Sequence, residues 1–251
     1  MKIGGSQTPV DDYRMPVLEH IRELRTRLVI SLAALAVGIG VGLWVAEPCF
    51  AFLVEPLTTA LGEGAGELAR LKLFEGILTY LKVGLLVGVL LSSPVIFYQT
   101  WLFVAPGLYK EERRIVVPLM LASTALFLSG AAFGYFVIFR FGFPYFLSVF
   151  AGESIAMLSI GDYLATATRL LLAFGFCFQL PIAVFFLARI GLVNARDMAR
   201  AFRYAIVGIF AVSALITPPD PLTQVLMAAP LSLLYGVGIG VAAVFTTKGK
   251  D

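Results

Sequence analysis

Histidine occurs once in this chain, cysteine twice, and charged side chains make up only 14% of its 251 residues. Each shortage excludes something. A lone histidine, His20, cannot build a His-based metal site or serve as the base of an intramembrane Ser/His pair. Cys49 and Cys177 form no CxxC pair and are read as small apolar filler. There is no GxxxxGK[ST] phosphate loop, no HExxH and no GxSxG nucleophile turn. A net charge of +3 makes no case for a nucleic-acid partner. No enzyme, cofactor or metal centre is therefore expected, and any work the protein performs must draw on a partner or on the transmembrane potential.

What is abundant is apolar surface. Hydrophobic residues make up 59% of the chain and the mean hydropathy is +0.92, well above a soluble domain's apolar share of about 45–50%. The bilayer is the expected solvent. A helix needs about 20 apolar residues to cross about 30 Å of hydrocarbon. Five long runs free of Asp, Glu, Lys and Arg meet that need: 28–46, 83–109, 115–139, 170–188 and 222–247. A sixth, 204–216, has only 13 uncharged residues, about 20 Å of helix at about 1.5 Å per residue. It is counted as a span because the basic segments then match. Residues 1–27 are polar, with no early apolar core, so the run from Leu28 is expected to be a retained span and not a removable signal.

The fold class that follows is all-α, a single integral membrane domain of six transmembrane helices. Its expected parts are an amphipathic N-terminus at 1–27, a six-span bundle at 28–247 and a tail at 248–251. Fourteen of the 19 basic residues fall on one side of a six-span chain. They are Lys2, Arg14, Arg22, Arg25 and Arg27, then Lys110, Arg113 and Arg114, then Arg189, Arg196, Arg200 and Arg203, then Lys248 and Lys250. The positive-inside rule makes that side the cytoplasm and places both termini there. Glu47, Glu55, Glu63, Glu67, Glu75, Glu153, Asp162 and Asp220 fall on the opposite side. The outward segments 47–75 and 140–169 are expected to cap the spans, with 141–151 an interfacial or re-entrant helix.

Pro94, Pro118, Pro181 and Pro230 lie within spans, where the carbonyl each one frees needs another donor. Four GxxxG patterns, Gly38/Gly42, Gly84/Gly88, Gly130/Gly134 and Gly236/Gly240, permit close helix approach, and packing within the chain is the expectation. Lys82 and Arg169, at the edges of apolar runs, are expected to snorkel. Gln179, two residues before Pro181, is the one polar candidate deep in a span.

Ahead of the first span, Val17, Ile21, Leu24 and Leu28 recur at helical spacing and form one apolar face, while Glu23 and Arg25 project elsewhere. From residues alone, Glu23 reads as an i,i+4 partner of Arg27. The segment His20-Ile21-Arg22-Glu23-Leu24-Arg25-Thr26-Arg27 also resembles the N-terminal H-[LI]-x-E-L-R-x-R pattern of the TatC family. Two further blocks are similar to that family. One is Ser93-Pro94-Val95-Ile96-Phe97-Tyr98-Gln99-Thr100-Trp101 with Phe103 through Arg114; the other is Thr217-Pro218-Pro219-Asp220 followed by Gln224.

The resemblance implies short fifth and sixth helices and a core receptor and channel subunit of the twin-arginine translocase, in the bacterial cytoplasmic membrane. Such a subunit recognises the twin-arginine signal peptides of folded precursors. It works in a multi-copy complex with TatA and TatB-type single-span partners, driven by the proton motive force. Carried over position by position, Glu23, Arg25, Phe103 and Glu112 are the signal-peptide-binding residues. Pro56, Gln179, Thr217, Asp220 and Gln224 fall at positions tied to assembly or activity. Gln179 departs from the glutamate usual there. Glu111 and Glu112 also read as complements to a helix N-terminus. A small-molecule secondary transporter is the competing reading, and it would want an internal repeat and charged groups at mid-membrane. Neither is evident.

Overall fold

The computed structural model describes residues 17–61, 75–104, 116–142, 144, 159–216 and 221–245, and these residues form helices and short connections. In chain order the helices are α1 (Val17–Trp44), α2 (Ala46–Leu61), α3 (Glu75–Val104), α4 (Val116–Phe133), which runs on into a π-helical turn at Gly134–Phe139, α5 (Ile160–Cys177), α6 (Leu180–Arg189), α7 (Ala195–Ile216) and α8 (Pro221–Phe245). Six segments are long and apolar enough to cross a membrane: Glu19–Trp44, Gly76–Val104, Val116–Gly142, Ile160–Arg189, Ala195–Ile216 and Gln224–Val244. The fifth and sixth are the shortest, at 22 and 21 residues against 26 to 30 for the others.

α1 is one continuous helix of 28 residues, so the amphipathic N-terminal face runs into the span without a break. α7 likewise extends the short uncharged run toward its N-terminus and carries Arg196, Arg200 and Arg203 on its first turns. Asn194 starts α7 by accepting the Asp197 backbone N–H at 2.9 Å and donating to the Asp197 carboxylate at 2.6 Å. Gly191 ends the preceding turn at φ 76°, a left-handed conformation that favours glycine. The fourth span is two helices, α5 and α6, divided at Phe178 and Gln179. Pro181 stands in the first turn of α6, where its missing N–H costs least.

The bundle has two ends. One gathers the start of α1, the end of α3 and the α6–α7 turn, and is called here the motif end. The other is covered by α2, whose buried Leu53, Val54 and Leu57 join Val83, Leu86, Tyr135, Phe139, Tyr163, Leu164 and Phe174 in the main core. Of the first segment expected to cap the spans, 47–75, residues 47–61 thus belong to a helix packed on the bundle, and 62–74 lie outside the described residues. Of the second, 140–169, most of the stretch 141–151 also lies outside them.

Two of the four GxxxG pairs pack on one another. A Cβ on Gly38 would stand 2.6 Å from the Gly88 carbonyl oxygen, and one on Gly42 would collide with the Gly84 carbonyl. Gly130 is equally closed, 2.5 Å from the Phe174 carbonyl oxygen, whereas among the described residues a Cβ on Gly236 or Gly240 would meet nothing within 4 Å. Helix approach within the chain therefore accounts for three of the patterns and not for the fourth.

Candidate functional site

At the motif end the α1–α3 crossing brings Arg27 against Gln99. The Arg27 guanidinium donates through one terminal nitrogen to Gln99 Oε1 at 3.1 Å and through the other to Glu23 Oε1 at 3.2 Å. Gln99 is 7% exposed, and the Glu23 and Arg27 side chains are 20% and 28% exposed. The i,i+4 pair read from the sequence is therefore formed, but only through one oxygen. Among the described residues, Glu23 Oε2 and Arg27 Nε are buried with no hydrogen-bond partner. One turn further out, the His20 and Phe103 rings stack at 4.4 Å with 14° between their planes. Phe103 thus lies beside the Glu23 segment, and Arg25 is exposed nearby. Glu112 lies outside the described residues.

At the covered end, Pro56 sits inside α2 and has no N–H to offer the carbonyl four residues back, that of Phe52. The Tyr135 hydroxyl takes that carbonyl at 2.7 Å, and its ring stacks on Phe52 at 4.2 Å. The Tyr163 hydroxyl donates to the next carbonyl, Leu53, also at 2.7 Å. Two tyrosines, one from the π-helical turn and one from α5, thus hold the proline-interrupted helix on the bundle. Tyr135→Phe should cost about 0.5–1.5 kcal/mol, because the hydrogen bond to this part-buried carbonyl is lost. In a Pro56→Ala background the new N–H serves that carbonyl, and the cost should fall. A double-mutant cycle on detergent melting checks this; equal costs in both backgrounds would refute the assignment of Pro56 as the cause.

Gln179 closes a polar link across three helices. Its Nε2 donates to the Ser123 backbone carbonyl of α4 at 2.9 Å, and Ser123 Oγ accepts from Trp101 Nε1 of α3 at 2.9 Å. The amide acts here as a donor, a role a glutamate fills only as the neutral acid. Gln179→Glu is therefore expected to be tolerated in the protonated form. Gln179→Leu should lower stability by roughly 0.6–1.7 kcal/mol, the range for interhelical polar contacts in membranes. Melting of both variants in one detergent is the measurement, and a leucine variant as stable as wild type would reduce Gln179 to filler.

Gln224 donates to the Phe210 carbonyl at 3.0 Å and ties the start of α8 to α7. Thr217 and Asp220 lie outside the described residues. Lys82 donates to the Gly161 carbonyl at 3.2 Å, so its ammonium reaches the start of α5. Glu23, Arg27, Gln99, His20 and Phe103 meet at one end, while Pro56 and Gln224 lie far from them at the other. Gln99, Tyr135 and Tyr163 carried no role in the sequence reading. The only available signal was that Pro56 frees a carbonyl, which calls for a donor without naming one.

The TatC family model, described as Sec-independent protein translocase protein (TatC), matches residues 19–230. The chain belongs to the TatC family. A Sec-independent protein translocase protein TatC from Desulforapulum autotrophicum is 45% identical over 241 residues, covering 96% of this chain and 88% of its own length. The relative of the same description from Aquifex aeolicus is 38% identical over 239 residues, covering 94% and 98%. Among solved structures, the crystal structure of the twin arginine translocase receptor TatC in DDM aligns with a TM-score of 0.80 at 38% identity, covering 89% of this chain and 99% of that one. The TatC relatives span nearly the whole chain, so the six helices here are those of the family fold.

Proposed function

We propose that this chain is the receptor and core channel subunit of a twin-arginine translocase. It stands in the bacterial cytoplasmic membrane with both termini in the cytoplasm and takes twin-arginine signal peptides at its motif end. The observation that carries the reading is the part-buried Glu23 carboxylate, whose buried Oε2 has no partner among the described residues, in a family with a solved member described as the twin arginine translocase receptor. An arginine pair needs carboxylates within charge-assisted reach, and partial desolvation at the headgroup boundary makes each such contact worth about 1.5–3 kcal/mol. Glu23 and Glu112 are the carboxylates in this reading. Phe103 supplies an apolar wall, and Arg25 projects beside it.

The remaining candidates, Pro56, Gln179, Thr217, Asp220 and Gln224, serve assembly. The bonds of Gln179 and Gln224 to neighbouring helices support that for those two. Single-span TatA and TatB-type proteins are the proposed partners in a multi-copy complex, with the proton motive force as the energy source. A small-molecule transporter is disfavoured by the family assignment.

The test is photocrosslinking from positions 103 and 112 to a twin-arginine signal peptide, with a Lys-Lys peptide as control. Strong labelling by the first and weak labelling by the second is expected; equal labelling would remove the recognition reading. Orientation is checked separately. Reporters fused after Gly107 and Val193 should behave as cytoplasmic, and those after Gly62, Glu153 and Asp220 as extracytoplasmic. A cytoplasmic result at Asp220 would overturn the six-span topology.

A further inference from the structure

The Glu23–Arg27 contact is incomplete in an informative way. A guanidinium four residues after a carboxylate on one helix can reach it with two parallel hydrogen bonds, which would satisfy both partners. Here it does not: one bond is made at 3.2 Å, and Glu23 Oε2 and Arg27 Nε are both left buried and unpartnered among the described residues. The cause is visible on α3. Gln99 Oε1 accepts from the other terminal nitrogen of Arg27 at 3.1 Å, which turns the guanidinium away from a two-point grip on its own carboxylate. Gln99 is buried, and the close α1–α3 crossing fixes its height against Arg27.

We propose that Gln99 is a positioning residue for signal-peptide capture: by holding Arg27 to one oxygen of Glu23, it keeps the other oxygen unpaired, so that a turn of the part-exposed Glu23 side chain presents it to a guanidinium from the signal peptide. The inference rests on Glu23 being a recognition carboxylate. Arg27 is then a resident cation that does two things. It holds the Glu23 carboxylate in place before any peptide arrives, and it is a competitor that Gln99 restrains. Removing the Gln99 acceptor lets Arg27 swing onto both oxygens and close the site. Removing Arg27 as well takes the competitor away.

That logic gives a suppression pattern that a merely structural glutamine would not produce. The experiment measures the apparent Kd of a fluorescent twin-arginine signal peptide for the purified full-length chain in detergent, with melting recorded for every variant. Gln99→Leu should weaken binding by about tenfold, the equivalent of one lost charge-assisted contact. Gln99→Glu retains an acceptor for Arg27 and should bind close to wild type. In the Gln99→Leu, Arg27→Gln double variant, binding should return to within about twofold of Arg27→Gln alone, because the two substitutions act through one interaction. Gln99→Met removes the amide on an unbranched chain and should reproduce the leucine result, which keeps the test open if the leucine variant melts early.

Full binding by Gln99→Leu and Gln99→Met, or a double variant as weak as Gln99→Leu alone, would overturn the inference. Glu23→Gln separates this outcome from failure of the parent reading. If Glu23→Gln binds weakly while the Gln99 variants bind fully, only the positioning role falls. If Glu23→Gln itself binds like wild type, recognition at Glu23 falls and the inference with it.

Discussion

Replacing Glu23 and Glu112 together by lysine should abolish capture of a twin-arginine precursor while the protein still reaches the membrane in normal amount. The expected size follows from two contacts of about 1.5–3 kcal/mol each, lost and replaced by repulsion. Together that is at least about a hundredfold in affinity. Glu23→Lys has a local cost as well, because it sets a second cation four residues from Arg27 and removes the carboxylate that the part-buried guanidinium donates to. Melting of the variant separates that local cost from the loss of binding. Insertion should be unaffected, since Glu112 precedes a span on the side already rich in bases and an added base there agrees with the proposed orientation. Glu112→Asp keeps the charge with a shorter reach and should fall between wild type and Glu112→Lys. Full precursor capture by the double lysine variant would end the electrostatic account of recognition.

The number of spans was legible because the bilayer imposes a length that a soluble core does not. A run of about 20 apolar residues has few other uses. Helix ends were less legible for a related reason. The second apolar run was bounded at Val83 by Lys82, yet α3 starts at Glu75, because a lysine within a helix can pass its ammonium to the Gly161 carbonyl. The fourth run was bounded at Leu170 by Arg169, yet α5 starts at Ile160. The side chain of Ser159 caps it by accepting the Asp162 N–H at 3.4 Å, and Arg169 is exposed on its surface. The break in that span was foreshadowed by Pro181, a purely local signal.

The site divides in the same way. Glu23 with Arg27 follows from i,i+4 spacing on one helix, and the structure contains that pair. Gln99 stood within a recognised block but acquired no role, because its meaning depends on a guanidinium 72 residues away in sequence. The Tyr135 hydroxyl on the Phe52 carbonyl spans 83 residues and was equally invisible. Non-local contacts that fix single polar atoms leave no periodic trace, whereas burial of whole faces does.

The second large effect is expected at the glycines that set this non-local geometry. Gly42 faces Gly84 and Gly38 faces Gly88 where α1 crosses α3. Continuing that antiparallel register toward the motif end brings Arg27 to Gln99 and His20 to Phe103. The glycine contact and the recognition geometry therefore belong to one helix pair in one register. A Cβ at Gly88 would stand 2.7 Å from the Ile39 Cα, and one at Gly38 would stand 2.6 Å from the Gly88 oxygen. Both obstructions are backbone, which no side-chain rotation relieves, so the helices must separate or slide. Overpacking of this kind costs about 1–3 kcal/mol per site, so the Gly38→Val, Gly88→Val variant should lose about 2–6 kcal/mol in detergent melting, together with signal-peptide binding. Gly236 and Gly240 supply the control, because they share the spacing but, among the described residues, a Cβ on either would meet nothing within 4 Å. Gly236→Val, Gly240→Val should change monomer stability by no more than about 0.5 kcal/mol, as for an open surface, and leave signal-peptide binding intact. Normal melting and binding by the α1–α3 valine variant would mean that the register of these two helices does not depend on their glycines. The positions of Arg27 and Gln99 would then have to be explained by the helix ends alone.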